Sequence, residues 1–175
     1  MIPTARQSVR VAYSQVGYKC KGKKDKYALF IDRNYPSFYN GSKYGCADWC
    51  DIYNDWTVLY VAKSAKDAEK VLCQPAKSCG AGVGYSYQYY KKHKRTTKTP
   101  AYGDQIFLKN SKGKLSHTGK VYKVNSKYVW YTAGNETTVI NGVKYQAVKK
   151  HKISKTNKKI YGYGRPLYAA ESTTK

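Results

Sequence analysis

Cys50 is the residue best placed for chemistry, because it falls at the predicted first turn of an amphipathic helix. Backbone N–H groups there lack partners within the helix, and the helix dipole is positive at that end. Both effects favour a thiolate and lower the pKa of a cysteine thiol. Such a cysteine needs only a base and an oxyanion donor to act as an acyl-transfer nucleophile, and its own backbone N–H can be one donor. Three acids lie close in sequence: Asp48, Asp51 and Asp55. Pointed at the sulfur they would oppose its ionisation, so Asp51 and Asp55 are read as stabilisers of the helix start.

His117 is the matching base. His93 and His151 sit inside lysine-rich blocks and read as solvated surface, whereas His117 stands between Ser116 and Thr118-Gly119 where a predicted strand begins. The chain then turns near Asn125-Ser126 and returns through Tyr128 to Gly134. That turn sets His117 opposite Gly134, and a change of one residue in register puts Ala133 or Asn135 beside it. Asn135 is therefore the candidate to orient the imidazole, as the third member of a triad does.

The cysteine total is odd, which leaves at least one thiol free or paired with another chain. A zinc site would join Cys46-x3-Cys50 to Cys73-x5-Cys79. Structural zinc pairs are usually spaced C-x2–4-C, and the second pair is too wide for that pattern. Cys20, Cys73 and Cys79 are read as small, partly buried residues. Nothing in the pattern calls for a cofactor or a metal.

The elements that must position these residues change character along the chain. Thr4 to Val16 reads as a helix with Val9, Ala12 and Val16 on one face. A short helix over Tyr27 to Asp32 follows. A third runs from Trp49 or Cys50 to about Ala62 and buries Ile52, Trp56 and Leu59. Ser64 with Asp67 resembles a capping box that opens a fourth helix to about Cys73, and Tyr85 to Lys92 forms another. Beyond Pro100 the pattern is that of strands: Gln105–Leu108, Gly119–Val124, Lys127–Thr132, Thr137–Ile140, Val143–Val148 and Lys159–Tyr163. Asn141-Gly142 is a hairpin turn signal. Helices first and antiparallel strands second predict an α+β fold, with N-terminal helices packed on a C-terminal antiparallel β-sheet.

The 175 residues suit one globular domain, expected over 1–168, with 169–175 as a flexible tail. The 41% hydrophobic fraction includes 20 tyrosines, which can build a core while keeping their hydroxyls wet. The absence of any run of about 18 apolar residues excludes a transmembrane helix. Met1 to Arg10 has no apolar stretch of the kind a signal peptide needs. With 33 Lys+Arg against 10 Asp+Glu the net charge is +23, which points to a polyanionic partner: nucleic acid, an anionic membrane surface or an anionic wall polymer. The charge is uneven. Residues 141–160 hold seven lysines and no acid, while 41–60, around Cys50, are locally acidic.

Several segments resemble one family. Trp49-Cys50-Asp51-Ile52 followed by Asp55-Trp56 is similar to the nucleophile helix of the CHAP (cysteine, histidine-dependent amidohydrolase/peptidase) domains of phage endolysins. Leu72-Cys73-Gln74-Pro75, Gly103-Asp104-Gln105-Ile106-Phe107, His117-Thr118-Gly119 and Tyr161-Gly162-Tyr163-Gly164-Arg165-Pro166 follow in the family's order, over roughly residues 5 to 168. The resemblance implies a papain-like fold and a Cys/His mechanism. The activity implied is that of a peptidoglycan hydrolase, acting as an N-acetylmuramoyl-L-alanine amidase or an endopeptidase. Cys50 takes the nucleophile slot, His117 the base slot and Asn135 the Asn slot. The family's Glu-Gly-Asn reads here as Ala133-Gly134-Asn135, so the acidic slot holds alanine, and Glu136 is the substitute if the strand end shifts. Thr57-Val58 stands where related sequences often have Cys-Phe, and Gly41 to Ala47 lacks the paired carboxylates of a calcium loop.

The implied partner is bacterial peptidoglycan, with teichoic acid held by the lysine-rich surface. The chain would act as a monomer, made in the host cytoplasm and working at the bacterial cell wall. The alternative is a CHAP-fold binder of an anionic wall polymer that has lost catalysis. A nucleic-acid binder ranks last, because no RNP-like, zinc-finger or basic-zipper signature is present.

Overall fold

A computed structural model describes residues 1–22, 24–45, 47–76, 78 and 80–171. Helix α1 (Ala5–Ser14) starts at Thr4, whose side chain accepts from Gln7 N while the Gln7 side chain accepts from Thr4 N. This reciprocal cap satisfies two otherwise orphaned donors. Val9 and Ala12 form its buried face. Helix α2 (Lys26–Asn34) is capped by the buried carboxylate of Asp25, which accepts from Tyr27 N and Ala28 N. Helix α3 (Cys50–Ala62) is buried on nearly every side. A helix of that kind belongs at the centre of a fold, and α3 touches every other helix and the sheet. Helices α4 (Ala65–Leu72) and α5 (Val83–Lys92) pack beside it.

Tyrosine does build the core. The ring of Tyr27 lies 4.8 Å from Trp56 and 5.3 Å from both Trp49 and Tyr53, mostly edge to face. Such pairs add to the burial of the rings themselves.

Seven strands follow: β1 (Lys19–Cys20), β2 (Thr96–Thr97), β3 (Gln105–Lys109), β4 (Leu115–Val124), β5 (Tyr128–Ile140), β6 (Val143–Ser154) and β7 (Ile160–Gly164). They form one antiparallel sheet in the order β1-β6-β5-β4-β3-β7-β2. The mixed α+β architecture is as expected. Asn141 and Gly142, both at positive φ, close the β5–β6 hairpin. One face of the sheet meets the helices: the Tyr53 hydroxyl lies 3.0 Å from Thr132 Oγ1, and a Cβ on Gly134 would come within 2.5 Å of the Trp49 ring. The other face buries its own cluster, including Ile106, Val121, Val129, Tyr131, Ala133 and Tyr163.

Two strand details differ from expectation and matter for the site. The turn between β4 and β5 falls one residue later, at Ser126-Lys127, because the Asn125 side chain accepts from both Lys127 N and Tyr128 N. Tyr122 is then an extra residue in β4, and the β4–β5 pairs end at Lys120 with Thr132. His117 is therefore not held opposite Gly134. The two runs expected as Lys127–Thr132 and Thr137–Ile140 are one strand, joined through a bulge. There Gly134 and Asn135 stand where β6 supplies one residue, and Asn135 has φ 59°.

The expected tail is docked at its start. Ala169 bridges to Thr4, and Glu171 Oε1 accepts from Arg6 N at 2.8 Å. Residues 172–175, the rest of that tail, lie outside the described residues, as do Cys46 and Cys79 of the considered zinc pairing. Cys20, Cys50 and Cys73 are buried and free.

Candidate active site

Cys50 opens α3, in a cleft of about 400 Å³ lined also by Tyr44, Asp48, Asp51, Gly82 and Ser116. Burial pushes its thiol up to about 12, and the charges of Asp51 and Asp48 act in the same direction. The backbone N–H groups of Asp51 and Cys50 pull the other way. The helix-terminus effect thus operates, but desolvation outweighs it, and the free protein holds a protonated thiol rather than the lowered one expected.

Asp51 does lie in the first turn of α3 and Asp55 beyond it, and both side chains turn inward. Asp51 is fully enclosed and accepts from Gly82 N and Ser86 Oγ at 2.8 Å each, and from Gln105 Nε2 at 2.9 Å. It fastens the start of α5 and strand β3 to α3. Asp55 is equally buried and accepts from the Tyr39 hydroxyl at 2.7 Å. Burial pushes both carboxyls up, and the charge of Lys120 opposes this. Lys120 itself is fully buried, donating to the Tyr168 hydroxyl at 3.0 Å. Sequence reasoning missed this lysine. The segment Gly119–Val124 also holds the exposed Lys123, and nothing in its pattern separates the two lysines.

His117 sits near the start of β4, and its Nε2 lies 2.7 Å from Glu136 Oε1. His151 Nε2 comes within 3.0 Å of the same oxygen, and its ring stacks on Tyr131 with centroids 5.0 Å apart. His151 is therefore half-buried beside the site rather than solvated surface. Burial alone would raise the Glu136 pKa. The hydrogen bond of His117 and the closeness of both imidazoles outweigh it and hold the carboxyl well below the ordinary glutamate range.

Asn135 does not orient the imidazole. Its side chain turns to the loop before α3 and donates to Asp48 Oδ1 at 3.4 Å. The bulge explains the exchange. One extra residue between Ala133 and Glu136 brings position 136 round to the face that Ala133 occupies. Ala133 is packed into the apolar cluster of that face, and Glu136 supplies a carboxylate three residues later. The signal was present as Gly134-Asn135, a pair that tolerates the left-handed backbone a bulge requires.

Ser116 links the two halves of the site. It lines the Cys50 cleft and also a second cleft of about 600 Å³ that holds His117, Asn110 and three lysines, Lys109, Lys158 and Lys159. The β3–β4 register slips between Leu108–His117 and Lys109–Leu115, leaving Ser116 as the extra residue. The Thr118 hydroxyl contacts Gln105, which reaches Asp51 on α3. Strand alternation therefore turns His117 to the opposite face. No hydrogen bond joins Cys50 to His117 among the described residues. The structure brings His117, Glu136 and His151 together and leaves Cys50 across Ser116 from them.

No protein-family model, curated protein or solved structure matches the chain. Among the described residues, no group of His, Cys, Asp and Glu is arranged to hold a metal, and no helix is long and apolar enough to cross a membrane.

Proposed function

We propose that the chain is a peptidoglycan hydrolase of papain-like CHAP type, cutting an amide bond with Cys50 as nucleophile, His117 as base and Glu136 as the group that positions the base. The observation that carries this reading is the 2.7 Å contact between His117 Nε2 and Glu136 Oε1. A carboxylate on one ring nitrogen fixes the tautomer and leaves Nδ1 to accept a proton. In this reading substrate bound along Ser116 shifts the start of β4, so that the imidazole comes round from the opposite face of the strand to the sulfur. The Cys50 proton passes to His117 Nδ1 as the sulfur–carbon bond forms. The backbone N–H of Cys50 supports the oxyanion. His117 then gives the proton to the leaving amine as the carbon–nitrogen bond breaks. Water, deprotonated by His117, hydrolyses the thioester and frees the thiol.

The test is release of new amino groups from purified walls. Cys50→Ala and His117→Ala are expected to abolish it, and Glu136→Gln to lower it by about 10²-fold. Asn135→Ala is expected to retain more activity than Glu136→Gln. Mass spectrometry of the fragments distinguishes the amidase from the endopeptidase. Full activity in the Cys50 and His117 variants would end the proposal. A second reading, a wall-polymer binder without catalysis, draws on the raised Cys50 thiol and its missing bond to His117. It predicts that iodoacetamide labels Cys50 slowly at pH 7 whether or not wall fragments are present. The catalytic reading predicts faster labelling in their presence.

A further inference from the structure

Strands β4, β5 and β6 carry a surface that the proposed chemistry does not use. Lys123 on β4, Trp130 on β5 and Lys152 on β6 are direct cross-strand partners and form one row. Lys123 Nζ lies 4.9 Å from the Trp130 ring centre and Lys152 Nζ 5.4 Å from it. Tyr128, two residues along the same face of β5, is covered by Lys152 at 4.1 Å and Lys127 at 5.7 Å. The face continues toward α1, where Lys150 lies 5.4 Å from the Tyr13 ring. These lysines are exposed, while Trp130 and Tyr128 are half-buried. The one acid in the three strands is Glu136, which is engaged by His117 and His151. The rings thus act as platforms that hold a row of ammonium groups toward solvent with no internal counter-charge.

We infer that this face binds the phosphodiester backbone of a bacterial wall polymer of the poly(polyol phosphate) class. The ammonium row asks for regularly repeated phosphates. A single-stranded nucleic acid would also supply them, but it gains its affinity for aromatic surfaces by stacking bases on bare rings. Here Trp130 and Tyr128 each already carry two ammonium groups and Tyr13 one, so recognition runs through the charge rather than through ring faces. The choice of a wall polymer rests on the peptidoglycan reading, whereas the anion-binding surface stands on its own geometry.

The experiment uses the full chain carrying Cys50→Ala, so that walls stay intact, and measures pelleting with purified Gram-positive walls before and after chemical removal of their phosphodiester polymer. Intact walls are expected to bind, and stripped walls at least tenfold less. Adding Lys123→Gln, Lys127→Gln and Lys152→Gln together is expected to weaken binding about tenfold and to flatten its salt dependence by about two charges. The same number of changes at Lys91, Lys92 and Lys94 is expected to leave binding near the starting value. Equal loss from the two sets would mean unspecific attraction and would overturn the proposal, as would undiminished binding to stripped walls. Competition by soluble poly(glycerol phosphate) and by oligothymidylate of equal phosphate number separates the two sources. Stronger competition by the oligothymidylate would assign the face to nucleic acid and overturn the wall polymer. Amino-group release by the unmodified chain tests the hydrolase reading separately.

Discussion

Glu136 and Asp25 show how the same residue chemistry is driven in opposite directions by its surroundings. Glu136 is held ionised by two imidazoles, with its pKa depressed well below the ordinary value. A depressed carboxyl contributes stability above its unfolded pKa of about 4.3 and loses it as pH falls through the folded value. Glu136→Gln is therefore expected to cost about 2 kcal/mol near pH 6, with the gap to the parent protein closing toward pH 2. Urea unfolding at both pH values checks this, and a gap that stays constant would remove the ion pair as its cause. Asp25 is the reverse. Burial pushes its carboxyl up to about 6, against the pull of the two N–H groups it caps, and its Oδ2 has no hydrogen-bond partner. With the folded pKa raised, its contribution is full below about pH 3.9 and is lost as pH rises through about 6. Asparagine caps a helix as well as aspartate does. Asp25→Asn is thus expected to stabilise the protein by about 1 kcal/mol at pH 8 and to lose that advantage by pH 4, as thermal melts at the two pH values would show.

At the scale of elements, the bulge in β5 decides which residue serves the imidazole, and Gly134 makes the bulge possible. A Cβ there would meet the Trp49 ring at 2.5 Å and Tyr53 Cβ at 2.9 Å, both rigidly packed. Gly134→Ala is expected to cost about 3 kcal/mol and to reduce wall hydrolysis more than its stability loss explains, because Trp49 immediately precedes Cys50. A variant that unfolds at the parent's urea midpoint would show that β5 yields freely there. The helix carrying Cys50 was legible to within a residue at its start, because Ile52, Trp56 and Leu59 repeat with helical spacing and are buried. Asn141-Gly142 announced its hairpin for a similarly local reason. The bulges at Tyr122 and Gly134-Asn135 were not legible by alternation, which counts every residue and cannot show which one is extra. The miscount at Gly134-Asn135 exchanged Glu136 for Asn135. The edge strands β1 and β2, two residues each, are too short to carry a period at all. The inward turn of Asp51 escaped notice because its partners, Gly82, Ser86 and Gln105, are 31 to 54 residues away.

For the whole molecule, a net charge of +23 acts on the fold and on its partner with opposite sign. Within the fold it is self-repulsion, which opposes compaction. Toward an anionic wall it is attraction. Salt screens both: the Debye length falls from about 30 Å at 0.01 M to about 10 Å at 0.1 M, shorter than the span of a domain this size. Raising salt over that range is therefore expected to increase the urea midpoint while it weakens wall pelleting. The two trends have one cause, so their dependence on ionic strength should coincide, with sodium chloride and sodium acetate acting alike. The buried groups supply the contrast. Asp104 and Lys120 are enclosed by protein, while Arg165, 3.0 Å from Asp104, keeps 39% of its side chain exposed, so these contacts feel dissolved ions less than the surface lysines do. Variants in the exposed lysines should accordingly flatten both salt curves, and Asp104→Asn should lower the urea midpoint by a similar amount at either salt concentration. A midpoint that fell with salt in the parent protein would show that exposed ion pairs, rather than repulsion among the lysines, dominate its surface electrostatics.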